Sequence, residues 1–257
     1  DDGEKLILGH RGRYNGEDVI DLIMKHPATT RFVARHLYNF FIADEVQVPS
    51  WQDVAPRDPV AINIIGEAFQ SSNYDIRSTL RVLFNSDFFK DQKVWFGRVK
   101  CPTELVVGTM RLIGSHQSPQ PGITKLEVET DIQGQATLNP PSVEGWHTGA
   151  EWIDPGVLMR RVNFAARILG DTSIPGVQLI IKKILLQGNL SPEATVNSCL
   201  DIMGPLEVSE STYSELMVLA EQGGNLDCST DGALRNSIQK VSEILTLIAA
   251  SRDYQFA

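Results

Sequence analysis

The chain has 257 residues, 42% hydrophobic and 21% charged, with a formal net charge of -9. It is long enough to bury a core without cross-links and too apolar for a disordered chain. Lys and Arg are scattered, with only short pairs such as Arg160-Arg161 and Lys182-Lys183, so no basic stripe points to nucleic acid or an anionic membrane, and no apolar run reaches a membrane span.

The first helix is predicted after Asn15-Gly16, with Asn15 or Gly16 as cap and Glu17 and Asp18 in the first turn, where the helix dipole favours acids. Val19, Ile20 and Ile23 share its apolar stripe. Pro27 stops it and starts a second helix to about Ala43. There Phe32, Val33, Leu37, Phe40 and Phe41 form an apolar face, and Arg31, Arg35 and Asn39 another side. Asp44 to Asp58 reads as an ordered loop around Trp51. Asp58-Pro59 is a cap-then-proline start, followed by Ile62, Ile65, Ala68 and Phe69. Asp75 caps the next helix, with Ile76, Leu80, Leu83 and Phe84.

Pro102 opens a helix whose Leu105, Val106, Met110 and Ile113 face inward. The stretch from Ile123 to Thr137 fits a helix better than a hairpin, since no turn signal closes one. Asn139 to Pro155 is a long irregular segment. Asp154-Pro155 starts another helix, with Leu158, Val162, Ala165 and Ile168 at helical spacing. Gly170 to Gly176 reads as a joint. Beyond it helices are predicted over 177–187, 192–203, 210–222 and 230–252, the last carrying Leu234, Ile238, Val241, Leu245 and Ile248. The expected class is all-α, an irregular multi-helix bundle with long ordered loops. The expected organisation is a main body over 1–170, with a Pro/Trp-rich loop at 139–155, and a C-terminal helical subdomain over 171–257 packed on it.

Cys101, Cys199 and Cys228 form no CxxC and no zinc spacing. A Cys199–Cys228 bridge is open to them in an oxidising compartment; buried or part-buried thiols are the plainer reading. His26 sits at a helix end, where its charge would suit the dipole. No paired-histidine motif is present, and no metal or cofactor is predicted.

Chemistry gathers in one loop, Pro140 to Trp152. His147 beside Glu144 or Glu151 could do acid–base work at neutral pH, and the faces of Trp146 and Trp152 could hold a ligand. The structural alternative has both tryptophans plug the loop onto the helical body. A second candidate is Gly9 to Gly16, where His10, Arg11 and Arg13 precede a helix N-terminus and could cradle an anion. No GK[ST] follows, and neither a strand nor GxGxxG spacing is expected there, so a plain turn is the default.

Several phrases in order resemble the bacterial family called domain of unknown function 1800. They are Leu8-Gly9-His10 with Asn15 to Asp21; His26 to Phe32; Ser72 to Arg77; Phe84 to Phe89; Lys100-Cys101-Pro102-Thr103-Glu104; the Pro140–Trp152 loop; and Ser251 to Phe256. The resemblance implies a helical module, the C-terminal part of a longer protein, exported to the cell envelope or exterior, and it transfers no catalytic residue. The chain begins at Asp1 rather than methionine, which fits the interior of something longer. Two functions are expected to compete. One is a binding or scaffolding module that holds a protein or glycan partner, or the missing N-terminal part of its own precursor. The other is an exported hydrolase built on His147, Glu144 and Glu151.

Overall fold

Proline placement explains where half the helices start. In a computed structural model, which describes residues 2–119, 121–146, 148–204 and 206–257, Pro27, Pro59, Pro102, Pro155, Pro175 and Pro192 each stand first in a helix. That position needs no N–H, and the ring presets φ. In front of them Asp58, Asp154 and Ser191 accept first-turn amides through their side chains.

The chain divides into two units, Asp1–Arg98 and Val99–Ala257. In the first, α1 (Gly16–Lys25), α2 (Pro27–Phe41), α3 (Pro59–Ser71), α4 (Ile76–Asn85) and the short α5 (Asp87–Lys90) pack in sequence, each on the one before. Its core is Ala34, Tyr38, Ile42, Ala43, Ala61, Ile62, Ile65 and Leu83, flanked by Leu37, Phe41, Phe88, Phe89 and Val94. Asn15 is the α1 cap, and its side chain and Asp18 exchange hydrogen bonds in a capping box.

In the second unit α6 (Pro102–Leu112) carries α7 (Ile123–Ile132) and packs on α8 (Pro155–Gly170). α12 (Asp231–Ala250) lies along α8 and also touches α9 (Pro175–Leu185), α10 (Pro192–Ile202) and α11 (Glu210–Gln222). Val241, Ile244, Leu245 and Ile248 of α12 are fully buried, while Leu234 and Ile238 stay half-buried. Ser242 of α12 donates to the carbonyl of Gly170, the last residue of α8. Gly176 is required by close approach: a Cβ there would meet the Ile113 carbonyl oxygen at 1.7 Å.

Among the described residues the chain is all-α apart from one small sheet, which corrects the expectation of no strand before α1. Strands β1 (Lys5–Ile7) and β2 (His10–Gly12) pair antiparallel through Lys5↔Gly12, Leu6↔Arg11 and Ile7↔His10. The turn is Leu8-Gly9, with φ of 49° and 82°. Two left-handed residues give the turn that matches strand twist, and only Gly9 announces it.

Other corrections concern which face is buried. No residue of α1 is buried, and Ile20 and Ile23 are exposed. On α2, Phe32 and Phe40 are exposed, whereas Ala34, Arg35 and Tyr38 are buried. His26 caps α2 through Nδ1, which accepts the Ala28 N–H at 3.2 Å. The three cysteines are free thiols, so Cys199 and Cys228 are not bridged, and Cys228 is exposed rather than part-buried.

Candidate ligand groove

Arg35 organises the first unit. Its position follows from α2's own period, three before Tyr38 and seven before Ile42, on the buried stripe. Nε and Nη2 donate to Glu45 Oε2 at 3.1 and 2.6 Å, and the two side chains are only 4% and 2% exposed. Arg35 also donates to the Trp51, Val54 and Ala55 carbonyls. Glu45 accepts the Arg57 N–H at 2.7 Å with its other oxygen, and Asn39 Oδ1 accepts the Glu45 N–H at 2.8 Å. One buried ion pair thus holds both ends of the 44–58 loop. That cluster gives Arg35 and Asn39, on the side of α2 away from its expected apolar face, their partners.

The loop's tip is a 3-10 turn, Val48–Gln52, that presents Trp51. Its indole N–H donates to the Val46 carbonyl at 2.6 Å, and the Arg35 guanidinium lies 4.7 Å from its ring centre. The His36 and Phe32 rings stand 4.6 and 5.6 Å from it, tilted and edge-on. Partial burial against these rings lowers the His36 pKa. Phe32 remains 48% exposed.

The Phe32 and Trp51 rings line a groove of about 700 Å³, with Ile23, Pro27, Thr29, Arg31, Arg35, Val48 and Gln52. A smaller cleft of about 180 Å³ shares Pro27 and Arg31 with it and adds Asn63, Glu67 and Gln70. The aromatic groove and the more polar cleft adjoin at Pro27 and Arg31. A second groove, of about 540 Å³ between α9 and α12, has the exposed Cys228 and Lys182 among otherwise largely apolar residues, and so offers less to orient a ligand.

The loop that drew attention in the sequence is built differently. Trp152 is 7% exposed, sits in the 3-10 turn Gly149–Ile153, and packs against Gly134. Trp146 is half-buried, and its indole nitrogen is buried without a hydrogen-bond partner. Glu144 and Glu151 are exposed. His147 lies outside the described residues. His10, Arg11 and Arg13 are exposed on or beside the hairpin, while the Asn15–Asp18 capping box already occupies the amides of Asn15 and Asp18.

A family model described as "Protein of unknown function (DUF1800)" matches residues 1–256. The chain belongs to that family. No curated protein and no solved structure matches it. In this DUF1800 chain, two of the phrases that carried the resemblance meet in the second unit. The Lys100 N–H donates to the Gln255 carbonyl at 2.9 Å, and Arg161 of α8 joins both, donating to the Lys100 carbonyl at 2.7 Å and to Gln255 Oε1 at 3.0 Å. The sequence signal for Arg161 was phase: it falls on the stripe of Ala165 and Ile168.

Proposed function

We propose that the protein is a binding module whose ligand is a glycan, seated along the Phe32–Trp51 groove. The observation that carries this is a pre-formed aromatic floor joined to a polar cleft. The exposed Phe32 ring can stack on the apolar face of a sugar, while Arg31, Gln52, Asn63 and Gln70 reach hydroxyl or amide groups. Two joined clefts suit an oligomeric ligand better than a single small molecule. Glycoside hydrolysis needs two carboxylates flanking the bond; among the described residues none lines the larger groove and the smaller cleft offers only Glu67. Binding without turnover is therefore the reading adopted, over a hydrolase at Glu144, His147 and Glu151.

Placement at the cell envelope or exterior rests on the family resemblance. Among the described residues, no helix is long and apolar enough to cross a membrane.

The test is calorimetric titration of the full chain with a panel of oligosaccharides, including amino-sugar oligomers of the cell wall. At least one should bind, and Phe32→Ala should weaken it about tenfold or more while leaving the circular dichroism spectrum unchanged. Failure of the whole panel, or unchanged affinity in Phe32→Ala, overturns the assignment. Fractionation of native cells checks the location, and recovery in the cytoplasm alone would overturn it.

A further inference from the structure

The second unit holds two poorly solvated cations, Arg161 buried and Lys100 half-buried. Arg161 is 0% exposed. Its Nε and Nη2 are taken by Gln255 Oε1 and the Lys100 carbonyl, but Nη1 is buried and has no partner. Gln255, bonded to that guanidinium through its oxygen, buries a second donor, Nε2, that is also unpartnered. Lys100 Nζ donates to the Tyr254 carbonyl at 2.9 Å and stands 4.4 Å from the Tyr254 ring centre.

Neither Arg161 nor Lys100 forms an ion pair with a described carboxylate. Glu104 acts on both only through space. The electrostatics record the deficit: burial, and then the neighbouring Arg161 charge, push Lys100 down to about 8, and burial pushes Arg161 down to about 10. Buried donors normally find partners, and buried charges normally find counter-charges. Here the missing partners are all acceptors and the missing charge is negative. A trapped water would satisfy the donors but add no negative charge beyond what Glu104 supplies through space.

We infer that this centre binds a small monovalent anion, a halide or a formate-sized carboxylate, at the Nη1 end of Arg161. The anion supplies what the three elements lack: α8 brings Arg161, the start of α6 brings Lys100, and the 3-10 turn Asp253–Gln255 brings the Gln255 amide. The site is distinct from the glycan groove, and its test does not depend on that reading.

The experiment is thermal unfolding of the full chain in bromide, chloride or formate, against gluconate, a much bulkier anion, at matched ionic strength. At about one hundred times Kd the small anions should raise the Tm by about 5–10 °C. Gln255→Glu places a carboxylate beside Arg161 with little change of shape. It should unfold at or above the wild-type temperature in gluconate and lose most of the bromide effect. Crystals soaked in bromide should show an anomalous peak within hydrogen-bonding distance of Arg161 Nη1. Equal unfolding temperatures in bromide and gluconate overturn the inference. So does a less stable Gln255→Glu variant in gluconate, or a site that holds only water.

Discussion

Replacing Glu45 by Gln removes one charge and almost no volume. The amide still has one oxygen, but Glu45 accepts from Arg35 with one oxygen and from the Arg57 N–H with the other. The new NH2 must face one of these donors, and the Arg35 charge stays buried without compensation. Breaking one side of a buried pair costs about 3–5 kcal/mol. With a urea slope of about 1.5 kcal/mol/M, the midpoint should fall by about 2–3 M. The assay is urea unfolding followed by circular dichroism and tryptophan fluorescence. Because the pair holds the loop that presents Trp51, glycan affinity should fall with stability. The double variant Arg35→Met, Glu45→Leu leaves no buried charge, and its stability should return to within about 1–2 kcal/mol of wild type. A loss below about 1 kcal/mol in Glu45→Gln would mean that the pair acts like a solvent-screened surface pair, and the reasoning about the loop would be wrong.

Three further outcomes are expected. With thiol reagents at neutral pH, Cys228 should react first, the half-buried Cys101 slowly, and the buried Cys199, its thiol pushed up to about 12, only on unfolding; modification mapped by mass spectrometry checks the order. Lys100, held near 8 in the fold against 10.5 in the unfolded chain, is protonated first in the unfolded state as pH drops, so stability is lost between pH 10.5 and 8 and the full cost, up to about 3 kcal/mol, is present below pH 8. Measured in gluconate, the wild type should therefore gain on Lys100→Met as pH rises from 7 to 10, and a gap that does not change with pH refutes this. Gly176→Ala should force α9 away from the Ile113 carbonyl and cost about 3 kcal/mol or more; a Tm within 2–3 °C of wild type would show that the contact yields easily.

Helix starts were readable because a side-chain acceptor followed by proline is a local device. Asp58-Pro59 and Asp154-Pro155 each begin a helix where expected. The same holds for the seam of α12, whose Val241, Leu245 and Ile248 are buried. Burial was less legible wherever charge and apolarity misled. Arg35 and Arg161 look like solvated charges in the sequence, and only their phase on a buried stripe hints otherwise. Their partners, Glu45 and Gln255, sit in other elements, which no local pattern reveals. Phe32 has the opposite character: it is apolar, on a strong helix, and exposed on the groove floor. The Pro140–Trp152 loop attracted attention by composition, but Trp152 is spent on packing. The hairpin escaped because a left-handed Leu8 is not written in its side chain.

The second unit is closed by its own two ends. Val99 bridges antiparallel to Phe256, and Lys100 pairs with Gln255 beside it. A ribosome delivers the first of these residues early and the last only after every helix between them has been made. Until then Arg161 lacks its amide partner and Lys100 its carbonyl, so the unit completes its polar centre after synthesis has passed Gln255. Contacts that join the extremes of a sequence slow folding, since the loop they close is the whole unit. The same adjacency makes the unit a ring in all but one bond. Linking those ends and opening a surface turn elsewhere, such as Gly188, whose added Cβ would meet nothing, should give a circular permutant that keeps the fold.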